Sequence, residues 1–150
     1  YPRQLTFGQG ITFYEWSPNS KELLVARDTA GNEKEGYYLI TTDGTQEREI
    51  LPPSGAFRSF GAFSTDGTQI IYSSTERNGT DFDVFKTAIH SHATELLLEG
   101  SFGFYTSAWQ PNNGVILVSE TVGEDGNNLF ARGFVQAQQR WLSLFNSFVI

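Results

Sequence analysis

Short runs of apolar, aromatic and β-branched residues, separated by clusters of turn residues, follow one another along the whole chain. The middle of the chain shows this pattern best, and its four runs cover residues 57–63, 69–74, 82–88 and 93–98. An Asp66-Gly67 turn, a polar loop at 76–80 and a turn at 90–92 separate these runs. Runs of this length with turn residues between them are typical of antiparallel β-strands. The pattern therefore predicts four strands in this part of the chain.

The same pattern recurs with a nearly constant period. An aromatic residue stands just before a turn at Trp16, Phe63 and Trp109, at intervals of 47 and 46 residues. A second mark, a polar residue that leads into a short apolar run, recurs at Gln4, Glu49, Glu95 and Arg140, at intervals of 45, 46 and 45 residues. Two independent marks with one period indicate a structural repeat. Residues 134–145 come nearest to a helical period, but the repeat predicts a turn and an outer strand there.

Four strands in each repeat are typical of the blades of a β-propeller. We therefore predict an all-β fold for residues 1–150, a partial β-propeller of four-stranded antiparallel blades with about three blades present. The predicted repeat units are 11–56, 57–102 and 103–150, with 1–10 as the last strand of a preceding blade. A β-sandwich also contains many short strands, but it does not keep an aromatic-turn mark at a fixed interval.

Composition narrows the classes of partner. The chain has 17 acidic and 10 basic residues, a net charge of -7, and its basic residues are scattered. Such a surface repels a phosphate backbone, so we predict no nucleic-acid partner. The most aliphatic stretch, 115–118, is far shorter than the roughly 20 apolar residues that cross a bilayer, so we predict no membrane insertion.

The absence of Cys and Met and the nature of the last residues bear on the compartment of the protein and on whether it is processed. The chain contains no Cys, which excludes a disulfide framework and a thiolate zinc site but leaves the localisation open between cytoplasm and periplasm. It also contains no Met, and its last residues, 148–150, form an apolar run without a terminal turn. We expect an internal or processed piece of a longer protein.

The repeat resembles two related propeller families. Residues 63–67, FSTDG, followed by IIYSS at 70–74, resemble the repeat of TolB-like propellers. The stretches similar to the propeller of bacterial prolyl oligopeptidase-family serine peptidases are 3–7, 16–18, 26–28, 31–33 and 73–85. This resemblance covers residues 1 to about 133. It implies a propeller that sits over an α/β-hydrolase domain of the same chain, restricts access to it and helps to bind the peptide substrate.

The chain itself shows no catalytic site. In that family the catalytic Ser, Asp and His lie in the hydrolase domain, and the Gly-x-Ser-x-Gly turn that exposes the nucleophile does not occur in this sequence. We predict serine peptidase activity for the parent protein only, with no catalytic residue, cofactor or metal in these residues. We interpret His90-x-His92 as a polar turn, and Asp81-x-Asp83 and the acids of 124–127 as solvated loop acids rather than metal ligands.

The direction of the strands predicts which loops meet. Strands of a blade alternate in direction, so the loop between its second and third strands lies on the same face as the link to the next blade. That face collects the loops 28–36, 76–81 and 120–127 and the links 7–10, 52–56 and 100–103. Longer loops on a rigid scaffold often carry function. The candidate binding residues there are Arg27, Asn32, Glu33, Arg77 and Asn78, with ordinary loop hydrogen bonding as the alternative.

Two functions remain open at this point. The first is a non-catalytic propeller segment of a prolyl oligopeptidase or dipeptidyl aminopeptidase-like serine peptidase, which gates access and helps to orient the peptide. The alternative is a TolB-like scaffold that binds protein partners and has no hydrolase activity. The repeated aromatics Trp16, Phe63 and Trp109 could stack on a ligand, but their shared place in the repeat favours packing between blades.

Overall fold

The computed structural model describes residues 1–8, 10–110, 114–123 and 126–133. Eleven strands in these residues form three antiparallel sheets, each built from consecutive strands. Blade 1 consists of β1 (Phe13–Trp16), β2 (Glu22–Arg27), β3 (Gly36–Thr41) and β4 (Glu47–Leu51). Blade 2 consists of β5 (Arg58–Phe63), β6 (Gln69–Ser74), β7 (Asp83–Ala88) and β8 (Thr94–Leu98). Blade 3 consists of β9 (Phe104–Trp109), β10 (Val115–Thr121) and β11 (Asn127–Gly133).

The all-β prediction is confirmed, and the four strands predicted in the middle of the chain begin and end within one residue of their predicted bounds. Blade 3 has three strands among the described residues, and the outer strand predicted at 134–145 lies outside them. Residues 1–8 and 10 hold no strand, so the strand predicted at 1–10 is not seen in the described part of that segment. The unit boundaries stay a prediction. In the described residues, no helix is long and apolar enough to span a membrane.

The blades stack face to face, with blade 2 in the middle. Side chains alternate between the two faces of a strand, so Ile70 and Tyr72 face blade 1 while Ile71 faces blade 3. The first core joins Leu24 and Tyr37 of blade 1 to that face of blade 2, and the second core contains residues of blades 2 and 3. Burial of one such side chain stabilises the fold by roughly 1.5–3 kcal/mol. Both faces of blade 2 are therefore apolar, which explains its continuous apolar strands.

The repeated aromatic residues differ in their surroundings. Phe63 packs against the core between blades 1 and 2, and Trp109 packs against the core between blades 2 and 3, as predicted. Trp16 is 52% exposed, so the packing predicted for it is not observed. Phe63 and Trp109 each pack toward the blade that precedes their own, and among the described residues no strand precedes β1.

Two hairpins close with the same hydrogen-bonded turn. In the turn between β5 and β6, Asp66 Oδ1 accepts hydrogen bonds from the Ser64 hydroxyl at 2.6 Å and from the Thr68 amide at 3.0 Å. In the turn between β3 and β4, Asp43 Oδ1 accepts from the Thr41 hydroxyl at 2.5 Å and from the Thr45 amide at 3.0 Å. A glycine with positive φ follows each Asp, as this turn requires.

The Asp43 carboxylate makes the stability of the fold depend on pH in the acid range. Hydrogen bonds from the Thr41 hydroxyl and from Thr45 lower the pKa of Asp43 from its ordinary 3.8 to about 2. Because the folded pKa lies below the unfolded one, this stabilisation is complete above about pH 4 and is lost as the pH falls toward about 2. We expect the Asp43 side-chain carbonyl carbon to titrate near pH 2 in an NMR experiment. A midpoint near 3.8 that Thr41→Val leaves unchanged would contradict this turn geometry.

Candidate functional site on the loop face

The structure brings the predicted long loops of blades 1 and 2 to one end of the sheets. We call this end the loop face, defined by residues 28–35, 52–57, 75–82 and 99–103. Arg58, at the start of β5, is buried and donates to the backbone oxygens of Glu35 at 2.7 Å and Pro52 at 2.6 Å. Its other terminal nitrogen forms an ion pair with Glu76. One arginine therefore ties a loop of blade 1, the link between blades and a loop of blade 2 together.

Arg58 was not among the sequence-predicted site residues. Its run, Arg58–Phe63, reads as an ordinary strand. The available signal is its position. Arg58 stands two residues before Phe60 and therefore on the same face of the strand, and Phe60 packs toward blade 1, so the charge of Arg58 is directed to a buried face. A charge on a buried face needs partners. Two of these partners are backbone carbonyl groups, 23 and 6 residues away in the sequence, and the third is the Glu76 carboxylate.

Arg77 is held by a buried carboxylate. Its Nε lies 2.7 Å from Asp83 Oδ2, and its Nη2 lies 3.0 Å from Asp83 Oδ1 and 2.9 Å from the Gly100 carbonyl oxygen. The Gly100 amide donates to Asp83 Oδ1 at 2.6 Å, and Asp83 is fully buried. Hydrogen bonding to Asp83 raises the pKa of the Arg77 guanidinium above its ordinary value. Arg77 thus fastens the loop of blade 2 to the link that follows the blade.

Asn78 closes the tip of the same loop. Its Oδ1 accepts from the amides of Thr80 at 3.0 Å and Asp81 at 2.9 Å, and its Nδ2 donates to Asp81 Oδ2 at 2.7 Å. Gly79 has φ +79°, a conformation that favours glycine. Both polar groups of Asn78 thus have partners within the loop.

The candidates of blade 1 fall into two places. Arg27 lies over the Tyr38 ring, 4.2 Å from its centroid, and pairs with Glu47, so its side chain follows the sheet rather than the loop tip. Asn32 and Glu33 lie in the exposed loop, where Asn32 Oδ1 accepts from the Lys34 amide at 3.0 Å and the Glu33 amide donates to Asp28 Oδ2 at 2.7 Å. The binding roles of all five candidates stay a prediction, because local hydrogen bonding accounts for the contacts seen.

The two histidines face different groups. His90 Nδ1 lies 3.3 Å from Arg48 Nη1, and His92 Nδ1 lies 3.0 Å from the Ile50 carbonyl oxygen. They therefore join the turn between β7 and β8 to β4 of blade 1. In the part of the chain that the structure describes, no three His, Cys, Asp or Glu side chains form a group that could hold a metal ion. Glu124 and Asp125, considered above as calcium ligands, lie outside the described residues.

A second feature is a groove on the inner strands, which we call the inner groove. It has a volume of about 460 Å³, and its walls include Phe13, Glu15 and Trp16 of β1 and Phe60 and Phe63 of β5. Gly61 allows the inner strands to approach, because a Cβ there would lie 2.6 Å from Thr106 Cγ2 on β9. The sequence marks Trp16 and Phe63 through the repeat, but not the groove between them.

Comparison with known proteins supports the fold. No family model and no curated protein matches the sequence. Among solved structures, TolB from Acinetobacter baumannii superposes with a TM-score of 0.67 at 13% identity over 86% of this chain and 31% of that chain. A structure from work on two prolyl endopeptidases, concerned with the role of inter-domain dynamics in catalysis and specificity, superposes with a TM-score of 0.55 at 15% identity over 81% of this chain and 19% of that chain.

These likenesses concern the fold alone, since both identities are low. The chain spans about a third of the TolB chain and about a fifth of the endopeptidase chain. The β-propeller prediction is confirmed at the level of fold: three consecutive antiparallel sheets match part of two larger chains with propellers.

Proposed function

We propose that this chain is a non-catalytic propeller segment of a prolyl oligopeptidase-like serine peptidase, where it gates access to an α/β-hydrolase domain and helps to orient the peptide substrate. The observation that carries the proposal is the loop of residues 75–82. Its sequence lies within the stretch 73–85, which resembles these peptidases. The shape of the loop is fixed by three residues of that stretch, Arg77, Asn78 and Asp83.

The loop face suits contact with a second domain. Arg58 and Asp83 anchor its loops to buried positions, so a partner meets surfaces that are already ordered. Contact with ordered loops costs less conformational entropy than contact with mobile ones. A rigid loop face also limits the size of the peptides that can pass it, which is the physical basis of the proposed gating. Glu33 is exposed on the loop face, and it is the candidate contact of blade 1.

The proposal is tested on the full-length protein as its gene encodes it. We expect the reading frame beyond Ile150 to contain Gly-x-Ser-x-Gly followed by Asp and His, and a fluorophosphonate probe to label that Ser. Replacement of that Ser by Ala is the control, and labelling must disappear. A folded protein that has no such motif and does not react with the probe would refute the peptidase assignment.

A second candidate function is a TolB-like scaffold that binds protein partners and has no hydrolase activity. The observation that favours it is the structural similarity, since TolB superposes with the higher TM-score and over more of this chain. The same experiment separates the two candidates, because a scaffold lacks the reactive serine.

A further inference from the structure

The loop of residues 75–82 carries an Asn-Gly pair at its tip, and both Asn78 and Gly79 are exposed. In such a pair the backbone nitrogen of the glycine can attack Cγ of the asparagine side chain, because a glycine has no Cβ to block the approach. Apart from the chain neighbours of Gly79, no atom of the described residues lies within 4 Å of the place where its Cβ would stand. The pair is therefore open to water and to an intramolecular reaction of its own atoms.

Hydrogen bonds of the loop involve every atom that takes part in this reaction. Gly79 N, the nucleophile, donates to the Thr75 carbonyl oxygen at 2.7 Å, and Asn78 Nδ2, the leaving group, donates to Asp81 Oδ2 at 2.7 Å. The amides of Thr80 and Asp81 donate to Asn78 Oδ1 at 3.0 and 2.9 Å, where they stabilise negative charge on that oxygen. The closed loop thus polarises the Asn78 amide group, but it holds the nucleophile and the leaving group in two contacts that must break before the ring can close.

We propose that Asn78 is a modification site, which converts spontaneously to aspartate or isoaspartate at a rate set by opening of the loop, and that this conversion loosens the loop face. Gly79 N loses its proton to solvent and forms a bond to Asn78 Cγ, and the bond from Cγ to Nδ2 breaks, so that the nitrogen leaves as ammonia. Water then breaks the bond from the ring nitrogen to Cγ, which gives aspartate, or its bond to the Asn78 backbone carbonyl carbon, which gives isoaspartate. The second product adds one methylene group to the main chain. One water is consumed and one ammonia is released.

The product no longer fits the hydrogen bonds of the loop. A carboxylate at position 78 cannot donate to Asp81, and two like charges then stand where one hydrogen bond joined Asn78 Nδ2 to Asp81 Oδ2. The Arg77 guanidinium lies 3.6 Å from Asp81, but its stronger contacts are with Asp83. Conversion of Asn78 therefore opens the tip of the loop irreversibly, and this consequence holds for either candidate function.

Mass spectrometry of the full-length protein, incubated at neutral pH, tests the modification. The same protein unfolded in guanidinium chloride gives the reference rate, and Asn113-Gly114, the second Asn-Gly pair of the sequence, is measured in the same samples. We expect Asn78 to form both products in the folded protein about tenfold more slowly than in the unfolded protein, because two hydrogen bonds must break. Asp81→Ala removes one of these hydrogen bonds and should raise the rate at Asn78 about threefold, with no change at Asn113.

The proposal is wrong if Asn78 is unchanged in the folded protein after about ten half-lives of the reaction in the unfolded protein. It is also wrong if the folded and unfolded proteins react at the same rate, or if Asp81→Ala leaves the rate at Asn78 unchanged, because the loop would then not control the reaction. Equal acceleration at Asn78 and Asn113 in Asp81→Ala would overturn it as well, since that result would indicate opening of the whole fold.

A pair of variants tests the consequence for the loop face. Asn78→Asp introduces one product directly, and limited proteolysis should cut this variant within residues 75–82 about fivefold faster than the unmodified protein. The double variant Asn78→Asp, Asp81→Asn exchanges the amide and the carboxylate, so a hydrogen bond can form again, and it should be cut at the rate of the unmodified protein. Equal cleavage of the single and the double variant would overturn the proposed loosening by like charges. Labelling by the fluorophosphonate probe is a separate measurement, so failure of this proposal and failure of the peptidase assignment are distinguishable.

Discussion

Replacement of Asp83 by alanine is expected to lower the free energy of unfolding by about 3 kcal/mol. Asp83 is fully buried, and its carboxylate accepts hydrogen bonds from Arg77 and from the Gly100 amide. Alanine leaves the buried amide without its partner and removes the anchor of the loop. The estimate is at the lower end for a buried ion pair, because the Arg77 side chain is 32% exposed and water screens part of its charge. Equilibrium urea unfolding of the full-length protein measures the effect.

Asp81 provides the matched control for this experiment. It is an acid of the same loop. Its Oδ2 lies 3.6 Å from Arg77 Nη2 and accepts a hydrogen bond from Asn78 Nδ2, but its side chain is partly exposed. Asp81→Ala should therefore cost less than about 1 kcal/mol. Equal costs for the two variants would contradict the anchoring role of Asp83. Proteolysis adds a second readout, since release of the loop in Asp83→Ala should make residues 75–82 the first site of cleavage.

The repeat, the strands and the turns could be predicted from the sequence because they depend on local properties. Alternation of side chains, turn residues such as Asp66-Gly67 and the interval between aromatic residues are all visible in a single copy or between copies. The predicted strands of blade 2 agree with the structure for this reason. The loop face could also be predicted, because it follows from the alternating direction of the strands.

The contacts between loops could not be predicted, because they depend on which blades are neighbours. Arg58 finds its backbone partners 23 and 6 residues away, and no spacing in the sequence marks those carbonyl groups. For the same reason, the five predicted site residues do not all lie in the loops. Arg27 is the last residue of β2, so the sequence predicts it at the loop end. Its contacts with Tyr38 on β3 and Glu47 on β4 direct its side chain along the sheet instead.

The inner groove shows the same limit from another side. The repeat predicts one environment for Trp16, Phe63 and Trp109, namely packing between blades. In the described residues, Phe63 and Trp109 pack between blades, whereas Trp16 is half exposed and lines the inner groove. The period of the repeat therefore could not predict which side chains line the inner groove.

Tyr72→Ala is expected to have the largest effect of the variants considered, a loss of about 4 kcal/mol in the free energy of unfolding. Tyr72 is fully buried between blades 1 and 2, with its ring centroid 6.1 Å from that of Tyr37 and 5.7 Å from that of Phe85. Alanine removes the ring from the middle of the row of aromatic side chains that joins the two blades. The surrounding strands cannot collapse into the space, because each is held by its own sheet. Equilibrium urea unfolding measures this loss as well.

Tyr72→Phe and Tyr14→Ala are the controls that separate packing from other effects. Tyr72→Phe keeps the ring and loses the hydroxyl, which accepts from Thr87 at 3.3 Å, and should cost about 1 kcal/mol. Thr87 keeps a partner in Thr94, at 2.8 Å, which limits that cost. Tyr14→Ala removes an exposed ring and should change stability by less than about 0.5 kcal/mol. If Tyr72→Ala costs no more than Tyr72→Phe, blades 1 and 2 do not share a packed core, and the stacking on which both the loop face and the inner groove depend is wrong.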